Sequence, residues 1–360
     1  MTPRIPVSIF TGFLGSGKTT LLNHVLAHPG MAGAAVIINE FGEIGLDHLL
    51  IATPNENTVL LASGCICCTV RGDLVDTLRD LDVKRRAGGV PPFDRVLIET
   101  TGLADPVPII QTVITDERLA PRFELDGVIT LVDAVNGMAQ LDRQPEAVKQ
   151  AAVADRLLIT KTDLVDARLC ATLQQRLSRI NPGAIMQSVE RGAIDPVLLF
   201  GAALIPQARS ADLERWLRDK AIAHVMHEAA HTYRHDDHIH ACCFYLDEPI
   251  STLGMSAWLT ALASLRGANL LRVKGLLNVE GRPVAVHAVQ TLIHEPVPLV
   301  QWPDDDRRSR LVFIARDMAR AEIEATLDVL RLKATQSGDQ PRRLDPNAYA
   351  KFVAAMQKVH

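Results

Sequence analysis

The chain has 360 residues, of which 48% are hydrophobic and 22% charged, and a formal net charge of −4. This length implies two domains with ample core, and the slightly acidic balance excludes a nucleic-acid protein that works by bulk positive charge. No apolar run is long enough to span a bilayer, and the N-terminal stretch lacks the design of a secretory signal, so a cytoplasmic protein with no membrane partner is expected.

In chain order, short runs rich in Val, Ile and Leu come first: residues 6–10, 34–38, 58–62, 95–99, 127–132 and 156–160. They do not alternate with polar residues, which is the pattern of parallel strands covered on both faces. Helical stretches lie between them, notably 19–28 and 72–86. Strand–helix alternation predicts an α/β domain with a doubly wound, mostly parallel sheet over residues 1–205. Residues 206–240 read as a helical, His-rich linker carrying His224, His227, His231, His235, His238 and His240. A smaller α+β C-terminal domain is expected over 241–335, with strands at 241–246, 270–279 and 310–315 and helices near 252–265 and 317–332. Residues 336–360 read as a tail.

"GFLGSGKT", Gly12 to Thr19, fits the phosphate-loop pattern G-x-x-x-x-G-K-[ST], and it stands between a predicted strand and a predicted helix. Its glycines let backbone N–H groups turn toward phosphates at a helix N-terminus. Lys18 is expected to reach the β- and γ-phosphates, and the Thr19 hydroxyl to bind Mg²⁺. "ETTG" follows the fourth run: Glu99 can hold the water shell of Mg²⁺ and the Gly102 N–H can meet the γ-phosphate. "TKTD", Thr160 to Asp163, resembles the guanine-reading N-K-x-D motif, with Thr160 in place of Asn. The Asp163 carboxylate can accept from guanine N1–H and N2, a donor pair adenine lacks, and the stem of Lys161 can cover the base. Leu103, not Gln, follows "ETTG". A water-positioning glutamine is therefore missing there, and slow intrinsic GTP hydrolysis is expected.

Cys65, Cys67 and Cys68 crowd one loop between a predicted strand and a predicted helix. Reduced thiols so placed suit zinc or another late transition metal, and a helix N-terminus lowers their pKa. Three thiolates leave a tetrahedral ion one ligand short, which suits a carrier better than a structural site; Glu40 is a candidate fourth ligand. The competing reading is buried or redox-reactive cysteine. Cys170, Cys242 and Cys243 read as core. The histidines of 224–240 could buffer a metal or simply solvate a linker.

Taken together, "GFLGSGKTTLLNHVL", "NEFGEIGLD", "GCICCTVRGDL", "ETTGLADP", "LVDAV" and "TKTDL" resemble, in order, the CobW-like GTPases, relatives of the nickel-insertion GTPases UreG and HypB. "LLRVKGLLNVEGRPVAVHAVQ" and "RSRLVFIAR" resemble that family's C-terminal domain. The resemblance implies a P-loop NTPase fold and a GTP-gated metallochaperone that hands its metal to a client metalloprotein. It carries Gly15, Gly17, Lys18, Thr19 and Thr20 over to phosphate and Mg²⁺, and Cys65, Cys67 and Cys68 to metal; Ser16, inside the same loop, is also expected to bind the nucleotide. Some members place a Glu where this chain has Ile38, so a supplementary acidic ligand is missing here. Members serve zinc, cobalt, iron or nitrile-hydratase clients. The leading expectation is a Zn²⁺-delivering GTPase. The alternatives are a nucleotide- and zinc-responsive regulatory switch without transfer, cobalt or iron insertion, and a P-loop kinase, which "TKTD" disfavours. Homo-oligomerisation is left open.

Overall fold

The computed structural model describes residues 3–39, 59–63, 71–201, 239–264, 269–290 and 292–332. The chain divides into two compact units, residues 1–177 with 184–203, and 204–360 with 178–183.

The first unit is built on seven parallel strands: β1 (Ile5–Gly12), β2 (Ala34–Asn39), β3 (Val59–Ser63), β4 (Arg95–Glu99), β5 (Phe123–Asp133), β6 (Arg156–Thr160) and β7 (Ile185–Val189). Their order across the sheet is β3-β2-β4-β1-β5-β6-β7. The apolar runs form strands because both faces are covered. Val7, Ile9 and Phe10 on β1 are fully buried, as are Val36 and Ile37 on β2 and Val96 and Leu97 on β4. Each such side chain removed from water contributes about 1.5–3 kcal/mol. Between the strands run α1 (Lys18–Ala27), α2 (Arg71–Arg86), α3 (Val107–Thr115), α4 (Gly137–Arg143), α5 (Pro145–Ala152) and α6 (Ala167–Ile180). Helix α1 buries Leu21, Leu22, Val25 and Leu26 against Phe10, Val36, Leu97 and Leu131. The strand order reverses at β1, flanked by β4 and β5. In such sheets ligands bind beyond the strand C-termini at the reversal.

Strand β7 was not expected from sequence. Among the described residues it pairs only with β6, and its residues Ile185, Met186, Gln187 and Ser188 stay partly or fully exposed, so it carries no continuous apolar run. Cys170 corrects the sequence reading in a smaller way. It opens the apolar stripe of α6, which continues through the buried Leu173, Leu177 and Ile180, but is itself only half-buried.

The second unit is an antiparallel sheet covered on one face by helices. Its strands are β8 (Ile239–Leu246), β9 (Leu270–Val279), β10 (Arg282–Val289), β11 (Leu292–Ile293), β12 (Val297–Pro298) and β13 (Ser309–Arg316), in the order β11-β10-β9-β13-β8 with β12 also on β10. Helices α7 (Thr252–Ser264) and α8 (Arg320–Leu327) bury Trp258, Leu262, Ile323 and Leu327 in one core with Phe244, Val273, Leu277 and Phe313. Phe313 meets Phe244 and Trp258 edge-to-face, at 5.6 and 6.3 Å between centroids. The expected helix over 317–332 is shorter: α8 ends at Leu327 and a 3-10 turn, Asp328–Arg331, follows. Strand β10 was also missed. Its signal was the Glu280–Gly281 pair, which takes φ of +52 and +89° and closes a two-residue hairpin with Val279 opposite Arg282. Cys242 and Cys243 are buried on β8, as expected of core residues.

Candidate functional site

The loop from Gly12 to Thr19 joins β1 to α1. At Gly12, with φ of +140°, a Cβ would stand 2.4 Å from the Leu131 carbonyl on β5, so the end of β1 requires glycine. Gly15 and Gly17 take φ of +75 and +91°, and the Ser16 N–H closes the turn on the Phe13 carbonyl at 3.1 Å. The Ser16 hydroxyl is buried and has no hydrogen-bond partner among the described residues. Lys18 curls back over the loop, its Nζ donating to the carbonyls of Gly12 at 2.9 Å and Phe13 at 3.4 Å. Thr20 lies in the first turn of α1.

Strand β4 brings the second motif alongside. Glu99 stands in register with Phe10 of β1 on one side and Ile38 of β2 on the other. The Thr19 hydroxyl donates to Glu99 Oε1 at 3.3 Å, and Glu99 is buried. These are two hard oxygen donors side by side at a phosphate-loop helix, a set that fits Mg²⁺. The next residue locks the strands together: the Thr100 N–H donates to the Phe10 carbonyl at 2.9 Å, and its hydroxyl to Thr11 Oγ1 at 2.8 Å. Gly102 passes so close to the phosphate loop that a Cβ would meet the Leu14 nitrogen at 2.6 Å. Leu103, where a glutamine would stand, is largely exposed.

The third motif ends β6 on the other side of β5. The Thr160 hydroxyl donates to the Ser16 carbonyl at 2.8 Å, so the base-side motif is tied directly to the phosphate loop. Lys161 takes a left-handed conformation, φ +57°, and its Nζ pairs with Asp133 at 2.8 Å. Burial opposes ionisation of Asp133, but the Lys161 and Asn136 side chains and the Val135 N–H donate to it and hold its carboxyl below the usual range. Asp163 sits in a short 3-10 turn with its carboxylate 3.8 Å from the Arg191 guanidinium. Arg191 belongs to the Glu190–Ala193 turn after β7. That turn leans on α1, because a Cβ at Gly192 would meet the Thr20 carbonyl at 2.8 Å.

All three motifs therefore gather along the C-terminal edge of one sheet. Asp133, in the "LVDAV" run, and Arg191 were not singled out as site residues from sequence. The first was legible only as a strand-end acid, and the second follows a strand that itself gave no signal. Thr160→Val keeps the side-chain shape and deletes the donor to a buried carbonyl. It is expected to cost ~1–2 kcal/mol of stability, read as a shift in the urea midpoint at unchanged slope.

Cys65, Cys67, Cys68, Glu40 and the histidines from 224 to 238 lie outside the described residues. The strands that lead into the first two segments are described. β2 and β3 pair in parallel with Asn39 opposite Ser63 at their ends, so Glu40 and the cysteine loop follow from adjacent strand ends. His240 is the second residue of β8, where burial lowers its pKa from the usual imidazole value.

The CobW/HypB/UreG nucleotide-binding domain model matches residues 6–188, and the C-terminal domain model of the cobalamin synthesis protein CobW matches residues 239–331. The chain is 36% identical over 329 residues to the zinc chaperone YjiA of Escherichia coli, spanning 91% of this chain and 99% of that protein. It is 35% identical over 200 residues to zinc-regulated GTPase metalloprotein activator 1 of Schizosaccharomyces pombe, spanning 54% of this chain and 47% of that one. The crystal structure of Zn(II)-bound YjiA GTPase from E. coli superposes with a TM-score of 0.66 at 31% identity, over 92% of this chain and 100% of that chain.

Proposed function

The chain belongs to the CobW/HypB/UreG family, with the CobW C-terminal domain, and from that premise we propose that it is a GTP-hydrolysing metallochaperone that carries a transition metal, zinc first, to a client protein. The observation that carries the reading is the convergence of the phosphate loop, Glu99 and the Thr160–Asp163 motif on one sheet edge, next to the strand ends that lead to Glu40 and the cysteines. The similarity to a zinc chaperone over nearly the whole chain supports zinc as the cargo.

In this reading, the backbone of Gly12–Thr20 cradles the phosphates and Lys18 turns its ammonium from the loop carbonyls to the β- and γ-phosphates. Thr19 would bind Mg²⁺ and Glu99 would hold its water shell, and the ion when bound would neutralise phosphate charge. The Gly102 N–H meets the γ-phosphate. Asp163 reads guanine while Lys161, braced by Asp133, lays its stem over the base. Hydrolysis cleaves the β–γ bridge with water and releases GDP and phosphate. Slow turnover follows from Leu103 in place of a glutamine, and a partner, a bound metal or a second subunit would then complete the hydrolytic site. Cys65, Cys67 and Cys68 hold the soft ion, with Glu40 as its fourth ligand. A regulatory switch that responds to zinc without transferring it is the second reading, favoured by the zinc-regulated activator among the relatives. Transfer of zinc to an apo-client, with and without GTP, separates the two.

Asp163→Asn tests the guanine reader. It replaces an acceptor of two guanine donors with an amide that can satisfy only one end, and is expected to cost about 2–3 kcal/mol of GTP binding. Xanthine nucleotide should bind the variant better than GTP does, because its C2 oxygen accepts from the new amide. Titration calorimetry with both nucleotides reads this, and unchanged GTP affinity would remove Asp163 from the base site.

A further inference from the structure

Two neighbouring residues of α5, Lys149 and Gln150, both reach the loop that follows β4. The Gln150 side chain is buried, and its Nε2 donates to the carbonyls of Gly102 at 3.2 Å and Ala104 at 2.9 Å. A primary amide nitrogen has two hydrogens, so both serve this one loop. The orientation of the amide follows from its partners: both are acceptors, so the nitrogen and not the oxygen faces them. Gln150 Oε1 is buried without a hydrogen-bond partner among the described residues. An orphaned buried acceptor is uncommon, and here it accompanies a side chain whose two donors are both engaged. One residue back, the Lys149 ammonium forms a close ion pair with Asp105. Asp105 in turn accepts from the Val107 N–H at 3.0 Å, at the start of α3.

The clamp stands on rigid ground. The Thr130 hydroxyl of β5 donates to the Gln150 carbonyl at 2.8 Å, and Ala147 and Ala151 of α5 are buried. On its other side the loop is pressed against the phosphate loop, with no room for a Cβ between Gly102 and Leu14. The loop is thus pinned at Gly102, Ala104 and Asp105.

We propose that Gln150 is a positioning residue for hydrolysis, which, with Lys149 as a second point of attachment, holds the loop so that the Gly102 N–H meets the γ-phosphate without rearrangement. This rests on the GTPase reading given above. Donors fixed in advance stabilise developing charge because they need not reorganise during reaction. The effect is confined to the triphosphate, since GDP has no group at that position.

The test compares the wild-type chain with Gln150→Met, which keeps the length and removes both donors, and Gln150→Glu, which turns two acceptors toward two carbonyls. Binding of GDP and of a non-hydrolysable GTP analogue is measured for each, together with amide hydrogen exchange over residues 101–105 in nucleotide-free protein. Both variants should bind the analogue about tenfold more weakly, bind GDP within about twofold of wild type, and exchange faster over 101–105. Equal losses for both nucleotides would mean a general structural role, and an unchanged ratio would mean no role at the γ-phosphate; either overturns the proposal. Unaltered exchange in Gln150→Met would overturn the clamp whatever the nucleotides do. A wild-type chain that binds neither guanine nucleotide would instead sink the GTPase reading, and the role in hydrolysis with it, leaving exchange to judge the clamp alone.

Discussion

Lys18→Ala is expected to lower GTP turnover by about 10³-fold or more while the chain remains folded. The ammonium already lies at the centre of the phosphate loop, 2.9 Å from the Gly12 carbonyl and 3.4 Å from that of Phe13. Lys18 is 9% exposed, so burial alone would suggest a structural residue. Its contacts argue otherwise. The Nζ donates to carbonyls of the phosphate loop itself, and a phosphate oxygen competes well with neutral carbonyls for a charged donor. Removing the side chain withdraws a positive charge from the transferring phosphoryl group and leaves two carbonyls to be satisfied otherwise. The second effect costs about 1 kcal/mol, small beside a core in which Phe10, Leu21, Leu22 and Val25 are fully buried. Phosphate release should therefore collapse while the circular-dichroism spectrum and melting curve stay close to wild type. Zinc binding in the nucleotide-free protein should survive. Loss of turnover together with an unfolded spectrum would make Lys18 structural, and retained turnover would move catalysis away from this loop.

The central strands were legible because parallel strands buried on both faces must be continuously apolar; Val96, Leu97 and Ile98 of β4 are such a run. The same physics hid β7, whose edge position leaves Gln187 and Ser188 in its middle. Strand β10 was hidden differently, by Pro283 and His287 interrupting its apolar pattern. The phosphate loop was legible because its chemistry demands glycine at fixed spacings, and the structure places both of those glycines, Gly12 and Gly17, at positive φ. What sequence could not supply were links between distant residues. Thr160 looked like a weakened base reader, yet its hydroxyl reaches the Ser16 carbonyl. Asp133 braces Lys161 across a strand pair. Gln150 lies far along the chain from Gly102, in a helix that carries no motif. A tetrapeptide reports its own chemistry; its partners are set by strand order.

Replacing Cys65, Cys67 and Cys68 together by Ser is expected to lower zinc affinity by several orders of magnitude, since thiolate ligation supplies most of the binding free energy of such sites. The more searching prediction is that nucleotide state sets that affinity. The sheet gives the reason. Across β3, β2, β4 and β1 the strand ends run in a row: Asn39 stands opposite Ser63, and Glu99 opposite both Ile38 and Phe10. Neighbouring strands lie about 4.8 Å apart, so the end of β3, two residues before Cys65, is only about two strand widths from Glu99. Glu40 follows the strand between them. A segment that contacts γ-phosphate and Mg²⁺ is released on hydrolysis, and if that segment also supplies the fourth ligand, its release loosens the ion. Zinc affinity should then differ by roughly 5–150-fold between a non-hydrolysable GTP analogue and GDP, and zinc must shift the preference between the two nucleotides by the same factor. Glu40→Ala should shrink the difference more than it weakens zinc binding in the GDP state, whereas Cys67→Ser should weaken both states. Competition titrations with a chromophoric chelator measure each affinity. Equal zinc affinity in the two nucleotide states would rule out coupling through the metal sphere, and wild-type affinity in the triple serine variant would move the site to the histidines of 224–240.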